Sequence, residues 1–218
     1  MTNGRELVTT FISTGGLYCL TAEKFSAGRN NIDVVRAMLD AGIKIIQYRE
    51  KTKKMGAKYK ECIALREMTR QAGAALIIND DIDLALLVDA DGVHVGQEDL
   101  PVPAVRELVG EDMAIGLSTH APEEARAALR NGADYIGVGP IFRTFTKEDV
   151  CEPVGFEYLN HVAKNIDLPF VAIGGIKVHN IAQVTSHGAK CVALVTEIVE
   201  AEDIAGRIEE LNDAMTSA

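Results

Sequence analysis

The chain has 218 residues, of which 47% are hydrophobic and 25% charged, and it carries a formal net charge of -10. A chain this long can bury a core that needs no disulfide staple. Its acidic excess argues against nucleic acid or an anionic membrane as the main partner, because bulk repulsion opposes both. A small anionic ligand is still allowed, since a local basic pocket outweighs a distant field.

In chain order, residues 1–14 read as a leader to which a short helix is open, so a 1–15 extension is set apart from a 16–218 catalytic domain. No long apolar run follows a basic start, so no signal peptide is expected. No stretch approaches the roughly 20 apolar residues of a membrane span. Short β-rich runs then alternate with segments of helical length. Strands are expected over 17–20, 43–47, 75–78, 92–95, 113–117, 135–138, 170–173 and 191–195. Runs such as Phe170-Val171-Ala172-Ile173 are apolar throughout, as strands covered on both faces should be. Between strands, Val34, Val35, Met38, Leu39 and Ala41 form one helical stripe, and Ile63, Ala64, Met68 and Ala72 help form another. Gly42, Gly73, Gly110, Gly132 and Gly188 read as helix C-caps, and 203–214 as a closing amphipathic helix.

Eight strands with a helix after each make an α/β fold of the closed (β/α)8 TIM-barrel class. An open doubly wound sheet would want a glycine-rich turn after its first strand, where Thr21-Ala22-Glu23-Lys24 stands instead. The four cysteines show no paired or metal-finger spacing. Cys19, Cys62 and Cys191 read as buried thiols of a reduced, cytoplasmic protein.

Barrels of this class carry their chemistry on the loops after the strands. The second strand runs into Gln47-Tyr48-Arg49-Glu50-Lys51, and alternation sends Gln47, Arg49 and Lys51 to one side; a solvated charged loop is the plainer reading. The third ends in Asn79-Asp80-Asp81, and Asp99 lies in the loop after the fourth. Carboxylates at neighbouring strand ends need positive charge between them. Mg2+ suits Asp80 and Asp99, because it takes one or two carboxylates and completes its shell with water and phosphate oxygens. Asp80 or Asp81 could instead cap the next helix. Ser118, after the fifth strand, can donate to a ligand oxygen or cap the helix starting at Pro122, and His120 can serve acid/base chemistry or packing.

The longest connection follows the sixth strand and reaches Gly155; long loops in compact domains are usually lids or binding loops. It offers Thr144, Thr146 and Lys147 to an anion. Gly174-Gly175 and Val195-Thr196 end the last two strands, where many barrels bind a phosphate. One site then suits a monophosphate and the other a pyrophosphate, which suggests a transfer reaction in which pyrophosphate leaves.

At these stretches the chain resembles the thiamine-phosphate synthase family. The likeness lies in QYREK (47–51), IIND (77–80), DGVHVGQEDL (91–100), GLSTH (116–120), DYIGVGPIF with T-x-T-K (134–147) and AIGGI (172–176). It implies a transferase joining 4-amino-5-hydroxymethyl-2-methylpyrimidine diphosphate to 4-methyl-5-(2-phosphoethyl)thiazole. Carried over to matching positions, Gln47 and Asn79 would hold the pyrimidine, with Ser118 near its leaving group. Arg49, Lys51 and Lys147 would bind pyrophosphate, and Asp80 and Asp99 would hold Mg2+. Thr144, Thr146, Gly175, Val195 and Thr196 would surround the thiazole phosphate. Ser118, Lys147 and Arg49 are the expected catalytic residues, the partners are small molecules, and a homodimer is left open. Asp81 departs from the family, which often has a basic residue there. A related tautomerase would use only a monophosphate site and a base, and a sensor would bind without turnover.

Overall fold

A computed structural model describes residues 2–146 and 151–216. Helix α1 (Gly4–Thr14) comes first, capped by Asn3, whose side chain accepts from Glu6 N at 2.9 Å. The repeating part follows: β1 (Gly16–Leu20), α2 (Asn31–Asp40), β2 (Ile45–Tyr48), α3 (Met55–Ala72), β3 (Ala75–Asn79), α4 (Ile82–Leu87), β4 (Gly92–Val95) and α5 (Val102–Val109). Next come β5 (Ala114–Thr119), α6 (Pro122–Arg130), β6 (Tyr135–Val138), α7 (Gly155–Asn165), β7 (Phe170–Ile173) and α8 (Val178–Ser186). The chain ends with β8 (Cys191–Leu194), a short α9 (Thr196–Val199) and α10 (Ile204–Thr216). All strands pair in parallel and in order, and β1 closes on β8, so the TIM barrel is complete. Among the described residues, no helix is long and apolar enough to cross a membrane.

Two cores follow from strand alternation. Outward residues such as Cys19, Ile46, Leu76, Val93 and Ile115 pack under the helices. Inward residues, including Tyr18, Ile45, Ile77, Ala114, Tyr135 and Val171, fill the barrel. Val8 and Ile12 of α1 join this inner core, so the helix plugs the end where the strands begin. The mouth at the other end is left for chemistry.

Two aspartates tie that plugged end together. Asp91, just before β4, donates its N–H to Leu76 O at 2.9 Å and accepts from Leu76 N at 2.8 Å through its carboxylate. Arg66 of α3 forks onto the same carboxylate at 2.6 and 3.0 Å. Asp134, before β6, repeats the arrangement with Ile115 and Arg106 of α5, and Arg5 of α1 adds a third contact at 2.5 Å.

The five glycines expected to end helices all take positive φ, as that role requires. Strand limits differ from expectation where turn residues intrude. β2 starts at Ile45, because Gly42 and Ile43 still bond back to Leu39 and Met38 of α2. β5 runs on through Ser118 and Thr119, and β8 stops at Leu194. The stripe assigned to α3 is also displaced: Ile63 is 46% exposed, and the buried face is Lys58, Cys62, Leu65 and Thr69.

Candidate active site

The inward positions nearest the mouth are polar. Gln47 on β2, Asn79 at the end of β3, His94 on β4 and Ser118 on β5 occupy consecutive strands, Asn79 pairing with His94 and His94 with Gly116. Gln47 is buried and its amide donates to Tyr18 OH at 2.7 Å. Tyr18 OH lies 3.0 Å from Tyr135 OH, which lies 3.0 Å from His94 Nδ1, and His94 Nε2 lies 3.0 Å from Ser118 Oγ. Burial pushes the His94 imidazole down to about 4, so the ring is neutral near pH 7. It pushes both tyrosines upward. Ser118 therefore sits within a strand and on a hydrogen-bonded chain, and it does not cap α6.

Beside this floor stands the charged cluster. Thr21, buried at the end of β1, accepts from Arg49 N at 2.9 Å and donates its own N–H to Gln47 O at 2.9 Å, which fixes the course of the chain after β2. Burial lowers the Arg49 guanidinium pKa, while the Asp80 and Glu50 carboxylates oppose that shift. Lys51 reaches an ion pair with Asp80. Asp80 has φ of 61° and donates its N–H to His94 O at 2.9 Å, so its carboxylate leaves the strand end in a left-handed turn. Asp99 accepts from Gly96 N at 2.7 Å. Burial raises the Asp80 carboxyl above the usual carboxylate range; Lys51 opposes the rise, and the nearby Asp99 adds to it.

Two hard-oxygen ligands facing one another are a donor set that fits Mg2+. Among the described residues no cluster of three or more His, Cys, Asp or Glu side chains could enclose a metal. Asp81 does not cap α4 through its side chain; it pairs with the buried Lys58 at 2.6 Å. Its charge is thus spent on the scaffold, away from the Lys51–Asp80 pair.

Across the mouth, the loop after β6 is stitched to the end of β7: Ile141 N donates to Ile173 O at 2.9 Å and Phe142 N to Gly174 O at 3.0 Å. Gly175, at φ of 63°, permits this approach, since a Cβ there would stand 2.5 Å from Arg143 O. The hydroxyls of Thr144 and Thr146 come together at 3.3 Å on this same loop. Val195 precedes α9, which Thr196 opens. Lys147 lies outside the described residues. His120 binds Gly139 O through Nδ1 at 2.5 Å and its N–H meets Glu124 at 2.7 Å, a bracing role in this loop.

The structure thus gathers Gln47, Asn79, Arg49, Lys51, Asp80, Asp99 and Ser118 at one side of the mouth, and places Thr144 and Thr146 on the loop whose Phe142 and Arg143 meet the Gly174-Gly175 turn. The sequence reading did not single out Tyr18, His94 and Tyr135. Their signal was there: counting by twos from the expected strand residues puts each on the inward face, where a polar side chain is costly without a partner.

The chain is similar to known proteins over most of its length. A family model described as thiamine monophosphate synthase matches residues 17–198. The chain is 66% identical over 195 residues to the thiamine-phosphate synthase of Pelotomaculum thermopropionicum, covering 89% of each. It is 55% identical over 202 residues to that of Lawsonia intracellularis, covering 93% of each. Among solved structures it is similar to a thiamine phosphate pyrophosphorylase from Pyrococcus furiosus, with a TM-score of 0.86 at 32% identity, covering 94% of this chain and 98% of that one.

Proposed function

This chain belongs to the thiamine monophosphate synthase family, and from that premise we propose how its residues divide the work. The reaction condenses 4-amino-5-hydroxymethyl-2-methylpyrimidine diphosphate with 4-methyl-5-(2-phosphoethyl)thiazole, giving thiamine phosphate and pyrophosphate. The observation that carries the division is the meeting of Arg49, Lys51, Asp80 and Asp99 beside the polar floor formed by Gln47, His94 and Ser118.

Gln47 and Asn79 hold the pyrimidine over that floor. Arg49 and Lys51, joined by Lys147, bind the diphosphate. Asp80 and Asp99 hold Mg2+, which when bound supplies positive charge to the diphosphate oxygens. Lys51, tied to Asp80 before substrate arrives, is freed to turn toward those oxygens. Thr144, Thr146, Gly175, Val195 and Thr196 take the thiazole phosphate at the loops after β6, β7 and β8, the region where barrels of this kind often seat a phosphate.

The C–O bond to pyrophosphate breaks first, and the pyrimidine amino group stabilises the methylene cation left behind. The thiazole nitrogen then attacks that carbon. No protein nucleophile is required. The buried thiols of Cys62 and Cys191 are pushed up to about 12, too high to serve as one. The chain's tasks are to neutralise the departing charge, align the thiazole and keep water from the cation. Free cysteines support a cytoplasmic setting.

Incubation with both phosphorylated substrates and Mg2+, followed by mass spectrometry, is expected to give stoichiometric thiamine phosphate and pyrophosphate, and none with EDTA. Asp99→Ala is expected to fold normally and lose the Mg2+-dependent rate. Full activity of that variant at ordinary Mg2+ would exclude the metal assignment.

A further inference from the structure

The chain from Gln47 to Ser118 has a direction. Gln47 gives Tyr18 an amide N–H at 2.7 Å. The Tyr18 hydroxyl, having accepted, has among the described residues one neighbour left for its own proton, Tyr135 OH at 3.0 Å. Tyr135 in turn has, among the described residues, only His94 Nδ1 to donate to, also at 3.0 Å. A neutral imidazole carries one N–H, so with Nδ1 accepting, the proton resides on Nε2 and is donated to Ser118 Oγ at 3.0 Å. With its oxygen accepting from His94, the Ser118 hydroxyl can direct its hydrogen only away from the ring, into the mouth. With the Gln47 amide donating, the opposite polarity would leave the buried Tyr18 proton without an acceptor among the described residues.

The barrel is shaped around this chain. A Cβ on Gly116 would stand 2.2 Å from Tyr135 Cζ and 2.4 Å from His94 Nδ1, so only glycine lets those two groups meet. Gly137 lies under the same ring, its added Cβ 3.4 Å from His94 Cε1. Tyr18 and Tyr135 are buried in the inner core.

We propose that Gln47, Tyr18, Tyr135 and His94 form a polarised relay that holds Ser118 as a hydrogen-bond donor toward the leaving diphosphate, with His94 and Tyr135 as positioning residues. This rests on the role given to Ser118 above. The relay moves no proton in the reaction. It fixes the orientation of a hydroxyl that would otherwise present a lone pair to an anion as readily as a hydrogen. The benefit is realised as negative charge develops on the departing oxygen, so it belongs to kcat more than to KM.

Nitrogen-15 NMR of the histidine-labelled protein, with His94 identified by its loss in His94→Gln, reads the relay directly. The expected result is a protonated Nε2 and an unprotonated Nδ1. A proton on Nδ1 would overturn the relay even in a fully active enzyme. In kinetics, Tyr135→Phe is expected to lower kcat roughly 10-fold while KM for the thiazole phosphate stays within about twofold. An unchanged kcat would count against the relay. His94→Gln retains an N–H able to reach Ser118 and is expected to keep more of the rate than His94→Leu; equal rates for the two would also contradict it. Ser118→Ala tests the underlying role separately, because a full rate there removes the serine from the reaction without altering the His94 tautomer.

Discussion

The Asp80 carboxylate has Lys51 on one side and Asp99 on the other, and burial and Asp99 outweigh the lysine, since its pKa is raised. Lys51 is half exposed, so its ion pair adds little. A carboxyl with a raised folded pKa favours the fold below the ordinary carboxylate range and loses that contribution as pH rises through the folded value. Ionising Asp80 in the folded chain therefore costs stability, and a cation relieves it. Asp80→Asn is expected to raise the thermal midpoint in EDTA and to abolish the stabilisation by Mg2+, as read by melting with and without the ion. A lower midpoint in EDTA would mean the lysine pair dominates. This trade is common where a site keeps charges ready for a ligand.

At the scale of elements, the β6–α7 connection and the glycine turn after β7 act as one unit, because the loop backbone crosses directly over Gly175. Gly175→Ala would place a methyl against Arg143 O and strain a left-handed residue. It is expected to raise KM for the thiazole phosphate at least several-fold, with the pyrimidine KM unchanged, in steady-state assays varying each substrate. Helix α1 makes the contrasting case. Ile12→Ala should cost about 2–5 kcal/mol in urea unfolding and leave both KM values alone, since its side chain fills the plugged end. The eight-strand alternation was legible in the sequence because parallel strands buried on both faces are short apolar runs between glycine-ended helices. The strand ends were less so, as Ser118 and Thr119 resemble turn residues and yet continue β5. The charged residues proposed for the site stood out at strand ends. Tyr18, His94 and Tyr135 did not, because their meaning depends on neighbours 24 to 117 residues away in sequence. The role of Asp81 stayed open in the sequence for the same reason, its partner Lys58 lying on α3.

For the whole molecule, the net charge of -10 and the anionic substrates would oppose each other without the local cations at the mouth, and salt should weaken both KM values moderately by screening. At the opposite end, Asp91 and Asp134 each bind a neighbouring strand and an arginine from the preceding odd-numbered helix. Asp91→Ala leaves Arg66 and Leu76 N without that carboxylate, and a loss of about 3–5 kcal/mol in urea unfolding is expected. A loss below about 1 kcal/mol would show that water replaces it.

These two aspartates also govern something at the far end of the barrel. A closed sheet has no free edge at which an error of stagger can be absorbed, and a slip of one residue turns every side chain of a strand to its other face. By clasping Leu76 and Ile115 with both main chain and side chain, Asp91 and Asp134 index β4 against β3 and β6 against β5. Slipped by one, β4 would turn Val95 inward and His94 out among the helices, and β6 would remove Tyr135 from its partners. The carboxylates at the closed end thus act as the detents that decide which residues the open end displays.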